Sequence, residues 1–227
     1  MARRGPTKPW QVILLLILAV IGAVLKERKG SSPSGSGGSG SGKGKTEQRQ
    51  QTEPRQKTTG YEVITGCRWQ DFKGNDGDSF QVRLPDGRVE QFRLYYVDAP
   101  ESQFRTYSGG ATNRERIHEQ AREMGLTDEQ AVEIGKQAKA RVHDLLAAKP
   151  FTLHTRWDDP FGDRRYHAFV TPDGGPLLEE TLVREGLVRI HTKPADLPDG
   201  TPVKERLRQL RELEKEAKRA KRGAWGK

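Results

Sequence analysis

Gly77-Asp78-Ser79-Phe80-Gln81-Val82-Arg83-Leu84, followed after one turn by Phe92-Arg93-Leu94-Tyr95-Tyr96-Val97-Asp98-Ala99-Pro100-Glu101, decides the architecture of this chain. Phe80, Val82 and Leu84 alternate with Ser79, Gln81 and Arg83, the period-two pattern of a strand with one face turned inward. Pro85-Asp86-Gly87-Arg88 is a turn in which Gly87 supplies the positive φ that closes a hairpin. The returning strand is expected over residues 89–97, and it stops at Pro100, which has no N–H for the ladder. In such a hairpin Asp78, at the start of one strand, comes near Asp98, at the end of its antiparallel partner, with Glu101 just beyond. Carboxylates gathered in this way repel one another unless a cation lies between them. Arg93 stands in an otherwise apolar and aromatic run, and a guanidinium drawn inside needs an anionic partner. Each acidic string taken alone also reads as an ordinary surface turn. Taken together, metal-binding acids, a held arginine and a third carboxylate are the parts needed to hydrolyse a phosphodiester.

The pattern continues in both directions from this hairpin. Residues 61–72 form a strand candidate containing Cys67 and Trp69, and residues 73–77 a turn. After Glu101 comes a Gly-Gly loop at 102–110, then a charged helix at 111–124 ending near Gly125. Thr127 caps a second helix, with Gln130 at the capping-box position. That helix extends to about residue 148, with Ala131, Ile134, Ala138, Val142, Leu145 and Leu146 at helical spacing. Strands follow at 151–157 and 164–171, then a short helix at 177–185 closed by Gly186 and an extended stretch at 187–191. The last helix, at 204–222, turns Leu207, Leu210, Leu213, Ala217 and Ala220 inward. Five short strands with a helix between the third and fourth predict an α+β, mainly β fold: a five-stranded OB-type barrel with packed helices.

With 227 residues, the chain fits one domain plus extensions, and 33% hydrophobic content is low for a wholly globular chain. A formal net charge of +9 favours polyanionic partners, nucleic acid first and anionic membrane second. Cys67 is the only cysteine, which excludes an intrachain disulfide and a cysteine zinc site. His118, His143, His154 and His167 lack metal-ligand spacing. Residues 1–29 carry Arg3, Arg4 and Lys8 before an uncharged apolar run at 12–25, the layout of a secretory signal or signal anchor. At about 1.5 Å per residue that run falls short of a ~30 Å hydrocarbon core. An uncleaved anchor is preferred because no good small-x-small cleavage site follows. Residues 30–59 are Gly/Ser-rich and then Gln/Lys-rich, the composition of a flexible tether. The folded domain is therefore expected at 60–227, membrane-anchored or secreted and on the extracytoplasmic side.

Gly77-Asp78-Ser79, the run from Arg93 to Glu101, and Leu182-Val183-Arg184-Glu185-Gly186-Leu187-Val188 resemble, in order, the motifs of the staphylococcal-nuclease-like (thermonuclease) family. The resemblance spans about residues 61–225. It implies the same OB-type barrel and a metal-dependent endonuclease acting on DNA and RNA with little sequence specificity, using Ca2+ or another divalent cation. By resemblance, the Asp78 and Asp98 carboxylates and the backbone carbonyl of Ala99, where the family often has threonine, bind the cation. Glu101 orients or deprotonates the attacking water, and Arg93 and a second arginine clamp the phosphate. Spacing back from Ala168 selects Arg165 for that second position. Arg164 then stands where the family has glycine, and it is kept as the alternative and as a nucleic-acid contact. His191-Thr192-Lys193-Pro194 replaces the tyrosines that stack on a nucleobase in the family, which leaves His191 and Lys193 as the binding candidates. A helical insertion at about 104–127 has no counterpart in the usual pattern; a structural cap is its expected role, with restriction of substrate entry or added contacts as alternatives. The competing functions are a non-catalytic OB-fold module that binds nucleic acid or protein, and a tethered structural protein meeting anionic lipid. No obligate protein partner is evident. A pure binder has no need of the acidic group.

Overall fold

In the computed structural model the described residues are 60–227; the proposed anchor and linker lie outside them. Five strands close a barrel: β1 (Glu62–Trp69), β2 (Ser79–Arg83), β3 (Val89–Leu94), β5 (Phe151–Thr155) and β6 (Arg165–Pro172), in the order β1-β2-β3-β6-β5. The β3–β6 pairing is parallel and the others are antiparallel. A separate two-stranded ribbon pairs β4 (Val97–Asp98) with β7 (Arg189–Ile190). Closure hides every barrel edge and leaves the interior to Phe80, Val82, Phe92, Leu94, Leu153 and Val170, all buried and on one face by register. Cys67 is also buried, its thiol pushed up to about 11 by burial, and it serves as a small packing group.

The expected hairpin is present, but its long return strand is not. Ser79 pairs with Arg93, so Leu94, not Asp98, lies opposite Asp78, and the Leu94 N–H donates to the Asp78 carbonyl at 2.8 Å. The chain then breaks at Tyr96, whose φ of 69° is left-handed. That conformation costs a non-glycine residue roughly 1–2 kcal/mol. It is held by main-chain bonds to the 191–193 segment: Tyr96 N–H to the Lys193 carbonyl at 3.1 Å, and His191 N–H to the Tyr96 carbonyl at 2.8 Å. The bend folds Asp98 back over the end of β2, so the two aspartates meet through a kink and not through register. Ser79 is another departure: it is buried, and Gln91 Nε2 donates to its hydroxyl at 3.1 Å.

Among the described residues there are four helices, α1 (Arg114–Met124), α2 (Asp128–Leu146), α3 (Leu178–Arg184) and α4 (Val203–Arg219), with a final 3₁₀ turn at Gly223–Gly226. Gly125 ends α1 in the left-handed conformation, and Thr127 with Gln130 forms the capping box that starts α2. Helix α1 rests on α2 through Ile117, Ala121, Ala131 and Val132. In α4, Leu210 and Ala217 are buried while Ala220 is exposed, because the helix ends at Arg219 and Ala220 lies in its hydrogen-bonded capping turn. The same face buries Arg206, whose guanidinium pairs with Glu179 and Glu180 of α3. No helix among the described residues is long and apolar enough to cross a membrane.

Candidate active site

Arg93 leaves the end of β3 with its side chain 8% exposed and donates from one nitrogen, Nη2, to two carboxylates: Asp78 Oδ2 at 3.0 Å and Asp98 Oδ1 at 2.8 Å. Asp78 Oδ2 also accepts from the Ala99 N–H at 3.1 Å. Burial, followed by the adjacent Asp76 carboxylate, raises the Asp78 carboxyl well above its usual range despite Arg93. Asp98 is treated differently. Against the push of burial, the Gln120 hydrogen bond and the guanidiniums of Arg116, Arg189 and Arg93 hold it below the usual range. Its four donors are Arg93 and Arg116 (3.1 Å) on Oδ1, and Gln120 Nε2 (2.9 Å) and Arg189 Nε (2.9 Å) on Oδ2.

Glu101 follows at the mouth of this cluster. Arg116 Nε lies 3.1 Å from its Oε1, Asn113 Nδ2 donates to Oε2 at 3.2 Å, and its main-chain N–H donates to Gln120 Oε1 at 3.0 Å. Helix α2 presses on the motif from behind. A Cβ on Gly135 would stand 2.4 Å from the Pro100 carbonyl oxygen and 2.5 Å from that of Glu101, so the close approach requires glycine there. Gly77 is constrained in the same way, between Ala138 and Ala99.

A cleft of about 710 Å³ opens beside these groups, and Asp78, Ala99 and Glu101 are not among its lining residues. Arg93, Asp98, Arg116 and Arg189 lie in its lining, together with Arg165 and Phe161 from the β5–β6 side and His191, Thr192 and Lys193 from the chain after β7. Arg165 reaches it while paired with Asp163, whose Oδ2 accepts from Nε at 2.7 Å. Lys193 Nζ is 3.2 Å from Asp158, and His191 Nδ1 3.8 Å from Glu123. Arg164 is not among the lining residues; 78% exposed, it points toward Glu90 at 4.0 Å. Of the residues singled out in the sequence, Asp78, Arg93, Asp98, Ala99 and Glu101 form one connected set, and Arg165, His191 and Lys193 face it across the cleft. Arg164 stands apart.

Four participants escaped the sequence reading. Asn113, Arg116 and Gln120 come from the start of the insertion and from α1, which reaches into the site instead of merely capping the domain. Arg189 carries the signal that betrayed Arg93, an arginine between apolar neighbours (Val188, Ile190), and it is 7% exposed. Gln120 interrupts the buried stripe Ile117–Ala121–Met124, a polar residue where an apolar one would be the default.

The model of the family described as staphylococcal nuclease homologue matches residues 91–227, more than half of the chain. This chain belongs to that family. No curated protein matches it. In this nuclease homologue the matched segment includes Arg93, Asp98, Ala99, Glu101 and Arg165, whereas Asp78 precedes it, immediately before β2. The donor types suit a hard divalent cation, all of them oxygen: two carboxylates bridged by Arg93, and the Ala99 carbonyl, which shares the Gln120 donor with Asp98. No three acidic, histidine or cysteine side chains among the described residues close on one point, because Glu101 is drawn toward Arg116 and the third donor is main chain. The raised Asp78 carboxyl marks a buried group short of positive charge, which a bound cation would supply. The residue types fit the ion that the family implies, while both Asp98 oxygens are occupied by protein donors.

Proposed function

We propose that this domain is a phosphodiesterase of the endonuclease type, hydrolysing DNA and RNA with little sequence specificity and requiring Ca2+ or another divalent cation. The observation that carries the reading is a single arginine nitrogen bridging two buried aspartates, with Arg93 and Asp98 in the lining of an arginine-rich cleft and Glu101 held against Arg116 of the same lining. Asp78, Asp98 and the Ala99 carbonyl would hold the cation. When bound, such an ion supplies Lewis-acid stabilisation of charge on the phosphate. Glu101 is placed to orient a water and take its proton on a carboxylate oxygen. Arg93 and Arg165 offer planar forks to the non-bridging oxygens from two sides, where a point charge would give poorer geometry. His191 and Lys193 line the path of the neighbouring nucleotides. Phe161, 70% exposed at the rim, presents an aromatic face on which a base can stack.

The test is degradation of single-stranded DNA by the full-length chain with calcium and with chelator. Glu101→Gln is expected to lower the rate by at least about a hundredfold, the usual scale of general-base loss, while leaving DNA binding within about twofold. Equal rates in the two proteins would remove Glu101 from the chemistry. A second reading, a non-catalytic nucleic-acid module, is favoured by the full engagement of Asp98 with protein donors. It predicts DNA binding with no hydrolysis under any divalent cation. We further propose that residues 1–29 anchor the domain to a membrane, catalytic side extracytoplasmic, with 30–59 as its tether. Release of the chain into the soluble fraction by alkaline carbonate would refute the anchor.

A further inference from the structure

The insertion delivers two donors to oxygens that the proposed cation would need. Gln120, fully buried, donates through Nε2 to Asp98 Oδ2 at 2.9 Å and to the Ala99 carbonyl at 3.1 Å. Arg116 places Nη2 3.1 Å from Asp98 Oδ1 and Nε 3.1 Å from Glu101 Oε1. With Arg93 on Oδ1 and Arg189 on Oδ2, each Asp98 oxygen has two donors, which is the capacity of a carboxylate oxygen. Nothing is left for a metal unless a donor withdraws.

The four donors differ in how easily they can leave. Arg93 and Arg189 are each 7% exposed, and each is pinned by a second carboxylate, Asp78 and Glu123 respectively. Gln120 would give up the Ala99 carbonyl and the Glu101 N–H together. Arg116 is 46% exposed along its side chain and can exchange Asp98 for water while its Nε stays on Glu101. We propose that Arg116 is a built-in counter-cation that a divalent ion must displace from Asp98, so that α1 sets how much calcium the site needs. The inference rests on Asp78, Asp98 and Ala99 being the metal donors, and not on hydrolysis.

Calcium binding to the full-length chain, measured by titration calorimetry and by the thermal midpoint in chelator and in calcium, tests it. Arg116→Ala and Arg116→Gln are each expected to bind calcium about tenfold more tightly than the unaltered chain, a change of about 1.4 kcal/mol. Both are expected to melt lower in chelator and to gain more on adding calcium. Arg116→Lys should fall between, and Asp78→Asn should abolish binding in either background. Equal or weaker affinity in both Arg116→Ala and Arg116→Gln overturns the proposal, as does a chain that binds no calcium with or without Arg116. A chain that shows the expected order yet cuts no DNA loses the nuclease reading and keeps this one.

Discussion

Asp98 accepts from three arginines and one amide at once, so its loss is felt beyond any single pair. Asp98→Asn keeps the shape but removes one of the carboxylates beside each of two nearly buried guanidiniums, leaving Asp78 to Arg93 and Glu123 to Arg189. Losing charge-assisted hydrogen bonds of this kind costs on the order of 2 kcal/mol, and urea unfolding should show a loss of that size; no measurable change would mean the network contributes little. His167 behaves in the opposite sense. Burial first, and then Arg93 and Lys193, lower its imidazole to about 4, and neither ring nitrogen has a hydrogen-bond partner among the described residues. Because the unfolded chain takes up the proton near 6.5 and the folded chain does not until about 4, stability is full above pH 6.5 and is lost as pH falls toward 4. The drop is about 3 kcal/mol at most, from 1.36 kcal/mol per pH unit. His167→Phe should flatten that slope between pH 7 and 4.5 in urea titrations.

At the scale of elements, the sequence was most readable where a local rule decides. Thr127 and Gln130 announce the start of α2 because both partners of the capping box lie within one turn. Asp78, Arg93, Asp98 and Glu101 were recognisable because charge beside an apolar strand demands a partner. What sequence periodicity does not carry is which side chain a docked helix meets. Nothing in residues 114–124 says that Gln120 faces Asp98; only the packing of α1 on α2 puts it there. The Tyr96 kink was hidden for a related reason, since its stabilising bonds come from residues almost a hundred positions later. Gly135 shows what such packing demands. Alanine in a helix interior ordinarily improves stability by up to about 1 kcal/mol over glycine. Here Gly135→Ala should destabilise by roughly 1–3 kcal/mol, the range for overpacking, and weaken calcium binding by shifting Pro100 and Glu101. A rise in the melting temperature would show that α2 can retreat without disturbing the acids.

At the scale of the whole molecule, the net charge of +9 is carried almost entirely by residues 1–59, which hold 11 Lys and Arg against 3 Glu, whereas residues 60–227 are close to neutral, so attraction for polyanions in the folded domain depends on the local arginines of the cleft. The barrel sets a further condition. Its order places β1 and β2 between β5 and β3, yet the family match starts at residue 91, inside β3. Anyone who trims the gene to the recognised segment will therefore open the ring at two seams and discard Asp78 in the same cut. Such a piece has bare hydrogen-bonding rims on β3 and β5 and should clump, not fold; the usable unit for crystallisation or screening starts near residue 60.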